Sequence, residues 1–289
     1  MLIGNLPQNV VNALSLSMVY MLVAMGLTLI LSIMSMINFA HGDLYMLGGF
    51  GVYAVCQQLG YKYWLGLTVG VAAAALIGIF LEKAVFRPLR KEMLSASFAS
   101  MGAGLIIQSC VLMAFGPLDK KVASVFPGVF KIFGVYLPKE KLAIILASLA
   151  IVGAIIVFVN YFRAGQALQA VAQDSEAASL MGMDVNRVNA VGFGLGCALA
   201  AAAGALIAPL YFVSPSMGVT PLTKAFNVVI IGGLGSIPGA MLGSLLMGFV
   251  DQFSLIYMGH LGNIFGFLLI MAFLLFRPRG LLGRDVKMH

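Results

Sequence analysis

Apolar residues run along this chain in long, nearly unbroken stretches, and the polar positions cluster in short intervals between them. A helix that crosses a bilayer needs about 20 consecutive apolar residues. Seven stretches meet or approach that length: 9–33, 64–81, 94–115, 142–160, 189–212, 240–258 and 263–276. Two shorter ones, 44–57 and 222–231, suit tilted, re-entrant or half helices. The pattern predicts an all-α, polytopic transmembrane bundle of seven to nine segments forming one domain over residues 1–289. The interval 116–141 reads differently, with Pro117, Pro127, Gly128, Gly134 and Pro138 punctuating alternating apolar residues. That spacing predicts turns and a short hairpin. It serves either as a connection or as a docking surface.

Two places break the apolar pattern with unusual chemistry. The first is Asn38-Phe39-Ala40-His41-Gly42-Asp43, which sets an amide, an imidazole and a carboxylate among apolar residues. Such groups at membrane depth face protein or water and mark a pathway or a packing joint. Asn38 suits path lining or helix-end satisfaction, and His41 is read as a hydrogen-bonded group fixing a helix break beside Gly42 rather than a proton relay. Asp43 is placed to cap the segment that begins at Leu44. The second is 231–239, where Gly232, Gly233 and Gly235 permit irregular backbone at membrane depth, read as a structural turn ahead of a hinge or path lining, and Pro238 suits the start of the next helix. Interrupted segments in opposite halves of a chain are a transporter signature. Lys224 is expected to snorkel outward, Asp251 to hydrogen-bond between helices, and His260 to be solvated. Glycines at i, i+4 (Gly66/Gly70, Gly192/Gly196, Gly235/Gly239/Gly243, Gly262/Gly266) predict close helix contacts.

Composition agrees with lipid as the solvent. Of 289 residues, 61% are hydrophobic and only 9% charged, against about 25% charged in soluble domains. The net charge of +7 does not point to nucleic acid, because the basic residues sit in short intervals between spans. Lys83, Arg87, Arg90 and Lys91 in 82–92, Arg163 and Arg187 in 161–188, and the C-terminal arginines share one side when the spans alternate. The positive-inside rule makes that side cytoplasmic. The lysines of 116–141 then fall outside, against the rule, and so does the N-terminus if 44–57 crosses. The first apolar run reads as a retained span. Cys56, Cys110 and Cys197 lie in apolar stretches without metal or redox spacing, as small buried hydrophobes.

Catalytic motifs are missing: the chain has no Gly-x-x-x-x-Gly-Lys-Ser/Thr loop to hold a nucleotide, no His-Glu-x-x-His and no Gly-x-Ser-x-Gly. Nothing implies a cofactor or a metal. The interval 161–188 carries a helical pattern over 166–180. Leu168, Val171, Ala172 and Ala178 fall near one face, with Gln169, Gln173, Asp174 and Glu176 on the other. Gly182 stops that helix and Asp184 caps the next. The result is a short helix across the membrane face, either a solvated linker or a helix that docks in a partner's groove.

The stretch from Ala170 to Val188 resembles the coupling loop of ABC importer permeases, matching at Glu176-Ala177-Ala178 with Gly182 six residues after the glutamate. The Ile-x-Leu-Pro tail of the maltose-type permeases is missing. Gly26 to Ile30, Asn38 to Asp43 with Met46-Leu47-Gly48, Phe86-Arg87-Pro88-Leu89-Arg90, 231–239 and Leu275 to Gly283 resemble, in order, the branched-chain amino acid permeases of the LivH type. The resemblance implies an inner-membrane permease subunit of a bacterial ABC importer, not itself an enzyme. It implies a second related permease, two cytoplasmic ATPases and an external solute-binding protein as partners. It also makes Ala170, Asp174, Glu176, Ala177, Ala178 and Gly182 the ATPase-coupling residues. Urea and short-amide permeases share the pattern, and a stand-alone channel or ion-coupled carrier is the reading from another class.

Overall fold

The computed structural model describes residues 6–132, 135–259, 262–277 and 280–283. Helix α1 spans Leu6–Met34, α2 His41–Tyr53, α3 Tyr63–Leu81, α4 Met93–Phe115 and α5 Lys139–Tyr161. Then come α6 (Arg163–Gln173), α7 (Ser175–Leu180), α8 (Val185–Ile207), α9 (Val219–Gly232), α10 (Ile237–Met258) and α11 (Gly262–Phe276). Helices α2 and α3 each end in a π-helical turn, over Ala54–Gln58 and Glu82–Phe86. Strands β1 (Val129–Ile132) and β2 (Val135–Pro138) form the hairpin that the 116–141 punctuation predicts. Among the described residues six helices are long and apolar enough to cross a membrane: α1, α3, α4, α5, α8 and α10. Helices α3, α4, α5 and α11 expose large apolar side chains such as Leu76, Phe80, Phe98, Ile106, Leu146 and Phe267. A surface of this kind needs lipid or a partner to cover it.

The two buried centres are α1 and α8, which run antiparallel: Gly26 sits opposite Gly196, and Ile33 opposite Gly192. A methyl on Gly196 would lie 2.6 Å from the Gly26 carbonyl oxygen, so glycine alone lets these backbones touch. Helix α1 is followed by the irregular segment 35–40, the half-helix α2 and then α3; α8 is followed by 208–218, the half-helix α9 and then α10. The second set repeats the first upside down, with α1 packed on α10 and α3 on α8. At 14 residues α9 is roughly 21 Å long, short of the ~30 Å hydrocarbon core.

The half-helices start inside the bundle. His41 lies beside Val23 and Gly26, about two to three turns before the end of α1, so 35–40 doubles back along it. The first residues of α2 and α9 abut, and a Cβ on Gly42 would meet the Gly218 carbonyl oxygen at 2.5 Å. The sequence reading missed the second interior break. It ran a span straight through 208–212, because Ala208, Leu210, Tyr211 and Phe212 keep the apolar pattern; Pro209 and Pro215 were the signals. The 231–239 interval is the structural turn rather than an interior break: it joins α9 tightly to α10, at the end of the bundle where Gly235 meets Ser32 near the close of α1.

Other details differ from expectation. The predicted 166–180 helix is two helices. Of the three cysteines only Cys197 is buried, with Cys56 half-buried and Cys110 exposed on the apolar surface of α4. The expectation for His260 lies outside the described residues. Gln8 and Asn12 near the start of α1 bond to Tyr136 and Lys141, so the N-terminal end of α1 shares an end with the hairpin. The 82–92 turn and the start of α8 share the opposite end.

Candidate functional site

The end opposite the hairpin carries a braced elbow. Helix α6 is amphipathic: Leu168 and Val171 are buried, and Leu168 packs at Gly192 of α8. Gln169 donates from Nε2 to the Val159 carbonyl at 3.2 Å and to Asn160 Oδ1 at 3.1 Å, which straps α6 to the end of α5. Asp174 then breaks the helix. Its extended backbone stops α6, and its Oδ1 accepts the amide protons of Glu176 (3.0 Å) and Ala177 (2.9 Å), capping α7. Two of the four otherwise orphaned N–H groups at the start of α7 are thereby satisfied. An aspartate cap outcompetes helix continuation because it offers the backbone a local alternative partner.

Helix α7 closes at Gly182, whose φ of 83° is left-handed and suits glycine. Asp184 caps α8 by accepting from the Arg187 amide at 3.1 Å, as the sequence predicts. Of the coupling residues, Ala178 is buried and Ala170 half-buried, whereas Asp174, Glu176, Ala177 and Gly182 face outward. Ala172, assigned to the apolar face by spacing, is exposed. Leu180 and Met181, which the sequence reading did not single out, project at the tip with 87% and 81% exposure. Two large apolar side chains immediately before the stopping glycine were the available signal.

A second feature missed from sequence is Glu82. Its carboxylate is buried and receives Arg87 Nη2 at 2.8 Å and Arg90 Nη2 at 3.0 Å, while Arg90 Nη1 reaches Asn186 Oδ1 at 3.1 Å. Donating to the Glu82 carboxylate pushes the Arg87 pKa up. This fork of charge-assisted bonds ties the α3–α4 turn to the first turn of α8, beside the elbow. It accounts physically for the Phe86-Arg87-Pro88-Leu89-Arg90 motif: Phe86 is fully buried against Phe193, and the arginines clamp the turn.

The second constellation lies in the interior. Asn38 is fully buried and its Oδ1 accepts the Ala40 amide at 3.0 Å. His41 is fully buried, and Nε2 donates to the Val23 carbonyl at 3.0 Å, the hydrogen-bonded role expected of it. Phe39 N–H donates to Ser100 Oγ at 3.0 Å. Asn38 Nδ2 and His41 Nδ1 find no partner among the described residues. Asp43 does not cap a helix starting at Leu44. Helix α2 already begins at His41 with no side-chain cap, and Asp43 sits in its first turn with its carboxylate against Gly104 of α4. Gly42 makes the contact with Gly218 already described.

The structure does not bring Gly232, Gly233, Gly235 and Pro238 to this junction. They form the α9–α10 turn, with φ of 101° at Gly233 and 76° at Gly235, and Pro238 in the first turn of α10 as expected. Ser236 caps that helix, accepting from Gly239 N at 3.1 Å.

Lys224 does not snorkel. It is 7% exposed and meets Asp251 at 2.8 Å, and Asp251 Oδ2 accepts from Tyr20 at 2.9 Å. The hydrogen bond expected of Asp251 is there, joined by an ion pair that locks α9, α10 and α1 together. Sequence hides the pairing because residues 224 and 251 meet only when α9 folds back antiparallel to α10.

The described geometry is that of a multi-pass helical bundle with an inverted internal repeat, half-helices meeting in the interior and a capped elbow at one end. Residues 9–276 match the family described as branched-chain amino acid transport system, permease component. The chain is 33% identical to the high-affinity branched-chain amino acid transport system permease protein LivH of Escherichia coli (strain K12), over 96% of this chain and 95% of that protein. It is 32% identical to the permease protein BraD of the corresponding system of Pseudomonas aeruginosa, with the same coverage of both chains. It is also 24% identical to the Escherichia coli (strain K12) permease protein LivM, over 94% of this chain and 69% of that one. A match this long, over the elbow, the half-helices and the clamped turn alike, makes this chain a member of the branched-chain amino acid transport permease family.

Proposed function

We propose that this chain is one of two related permease subunits of an ABC importer, and that it carries branched-chain amino acids inward across a bacterial inner membrane. The family match over residues 9–276 carries the reading. The α6–α7 elbow is the lever: exposed Leu180 and Met181 supply an apolar knob, and Asp174 and Glu176 a polar flank, for the groove of an ATPase subunit. Gln169 straps the lever to α5 and Leu168 packs it on α8, which the Glu82 fork ties in turn to the α3–α4 turn, so a push on the elbow moves whole helices. The elbow side is then cytoplasmic, and the hairpin side meets the solute-binding protein.

The close contact of Gly42 with Gly218 is the closed joint of the path, and Asn38 and His41 are its polar lining. Glycine–backbone contacts suit such a joint, because the two half-helices can separate without extracting a side chain from a pocket. A neutral zwitterion with an aliphatic side chain suits a path with few charges. The chain itself carries out no chemistry; ATP hydrolysis belongs to the partner chains.

Reconstitution tests this reading. The complete assembly in liposomes should accumulate leucine only with ATP and the ATPase subunits. Uptake that persists after the ATPases are removed would replace it with a stand-alone carrier. Asn38→Ala and His41→Ala should lower uptake more than assembly; unchanged uptake in both would remove the junction from the path.

A further inference from the structure

At the hairpin end a cavity of about 180 Å³ opens between α1, α5, the end of α8 and α10. Its polar lining is Asn12, Ser15, Lys141, Tyr211 and Gln252, and Leu16, Ile207 and Leu210 complete the wall. A void of comparable size takes a benzene-sized molecule. Among the described residues no carboxylate lines it and none forms an ion pair with Lys141. Glu140, the next residue in the chain, turns to a different pocket with Tyr63, Trp64 and Phe126. Lys141 is half-buried, and its ammonium donates to Asn12 Oδ1 at 2.6 Å. An ammonium has three donors, so this single neutral acceptor leaves two to satisfy.

We infer that this cavity is an outer binding site for the free amino-acid zwitterion, with the substrate's α-carboxylate on Lys141. The inference rests on the proposed function and deepens it. A half-buried cation without a carboxylate partner selects an anionic group. The oxygens of Ser15, Tyr211 and Gln252 accept from the α-ammonium. Leu16, Ile207 and Leu210 receive an aliphatic side chain, which supplies the apolar part of the selectivity.

The position is also suited to passing substrate on. Tyr20 lies one turn beyond Leu16 on the same face of α1 and donates to Asp251, the residue before Gln252. The cavity floor therefore adjoins the buried Lys224–Asp251 pair that holds the half-helix α9. Walls from both repeats, α1 from the first and α8 and α10 from the second, mean that relative motion of the halves changes the cavity's shape.

The test uses the assembled importer in nanodiscs without its binding protein, with tritiated leucine as probe and leucinamide, which lacks the carboxylate, as competitor. Wild type should bind leucine in preference to leucinamide. Lys141→Met should weaken leucine binding by about tenfold or more and abolish that preference. Lys141→Arg should retain it. The site is overturned if wild type binds no leucine, if Lys141→Met binds leucine like wild type, or if it loses leucine and leucinamide equally. ATP-driven leucine uptake by the complete wild-type assembly separates the two proposals. Uptake with a negative binding result overturns the site alone, whereas absence of uptake overturns the transport function on which it rests.

Discussion

Substituting Asp251 by Asn should harm this protein more than deleting the whole polar cluster around it. Lys224 and Asp251 are each 9% exposed at the side chain and 2.8 Å apart. Two unit charges 4 Å apart attract by about 4 kcal/mol at an effective dielectric of 20. Much of that attraction offsets desolvation, so the intact pair adds little net stability. Asp251→Asn keeps the shape and an acceptor for Tyr20 but strands the ammonium of Lys224 among α1, α9, α10 and α11. Removing one partner of a buried pair costs about 3–5 kcal/mol. Replacing the pair by apolar residues (Lys224→Met with Asp251→Leu) removes the stranded charge and leaves only the Tyr20 hydroxyl without its acceptor, at about 1–3 kcal/mol. Adding Tyr20→Phe removes that as well and should bring the triple variant close to wild type. The assay is thermal unfolding of the detergent-purified chain. At roughly 2–4 °C per kcal/mol the single variant should lose on the order of 10 °C, and the triple variant a small fraction of that. A single variant within about 1 kcal/mol of wild type would show that Lys224 reaches water. A triple variant as unstable as the single would show that packing, not stranded charge, dominates there.

Glu82→Gln should release the α3–α4 turn from α8, seen as faster hydrogen exchange over 82–92 and lower ATPase retention on purification; unchanged exchange would deny the fork its bracing role. Gly182→Leu forces a side chain into a left-handed conformation at about 1–2 kcal/mol, and either it or Glu176→Lys should uncouple the ATPases while leaving membrane insertion intact. Normal ATPase yield with full transport in both would remove the lever from this elbow. Asp174→Ala should cost about 1 kcal/mol at the α7 cap, with exchange rising first at Glu176 and Ala177; protection unchanged at those amides would show that the cap contributes nothing. Gly48→Leu drives a side chain into the Ala201 backbone carbonyl at the α2–α8 crossing. Overpacking of this kind costs about 1–3 kcal/mol or more, read as a lowered unfolding temperature, and an unshifted midpoint would mean that the crossing can spread.

The sequence by itself determined the solvent and most of the spans. Unbroken apolar runs leave helix as the backbone's way to satisfy itself in lipid, so the all-α bundle, the hairpin, the stop at Gly182, the cap at Asp184 and the helix start at Pro238 were local and legible. The resemblance of the loop motifs to a permease family was legible too, since those motifs are contiguous. What only the tertiary structure decided lies in contacts between distant residues. The doubling back of 35–40 places His41 against Val23, and the break at 208–218 hides inside an apolar run. Lys224 reads as a snorkelling lysine until α9 folds onto α10 and supplies Asp251. Glu82 looks like one more loop charge until two arginines and the start of α8 close over it. Periodicity reports which residues avoid water. It does not report which partner a buried polar group meets, because that depends on how helices far apart in sequence cross.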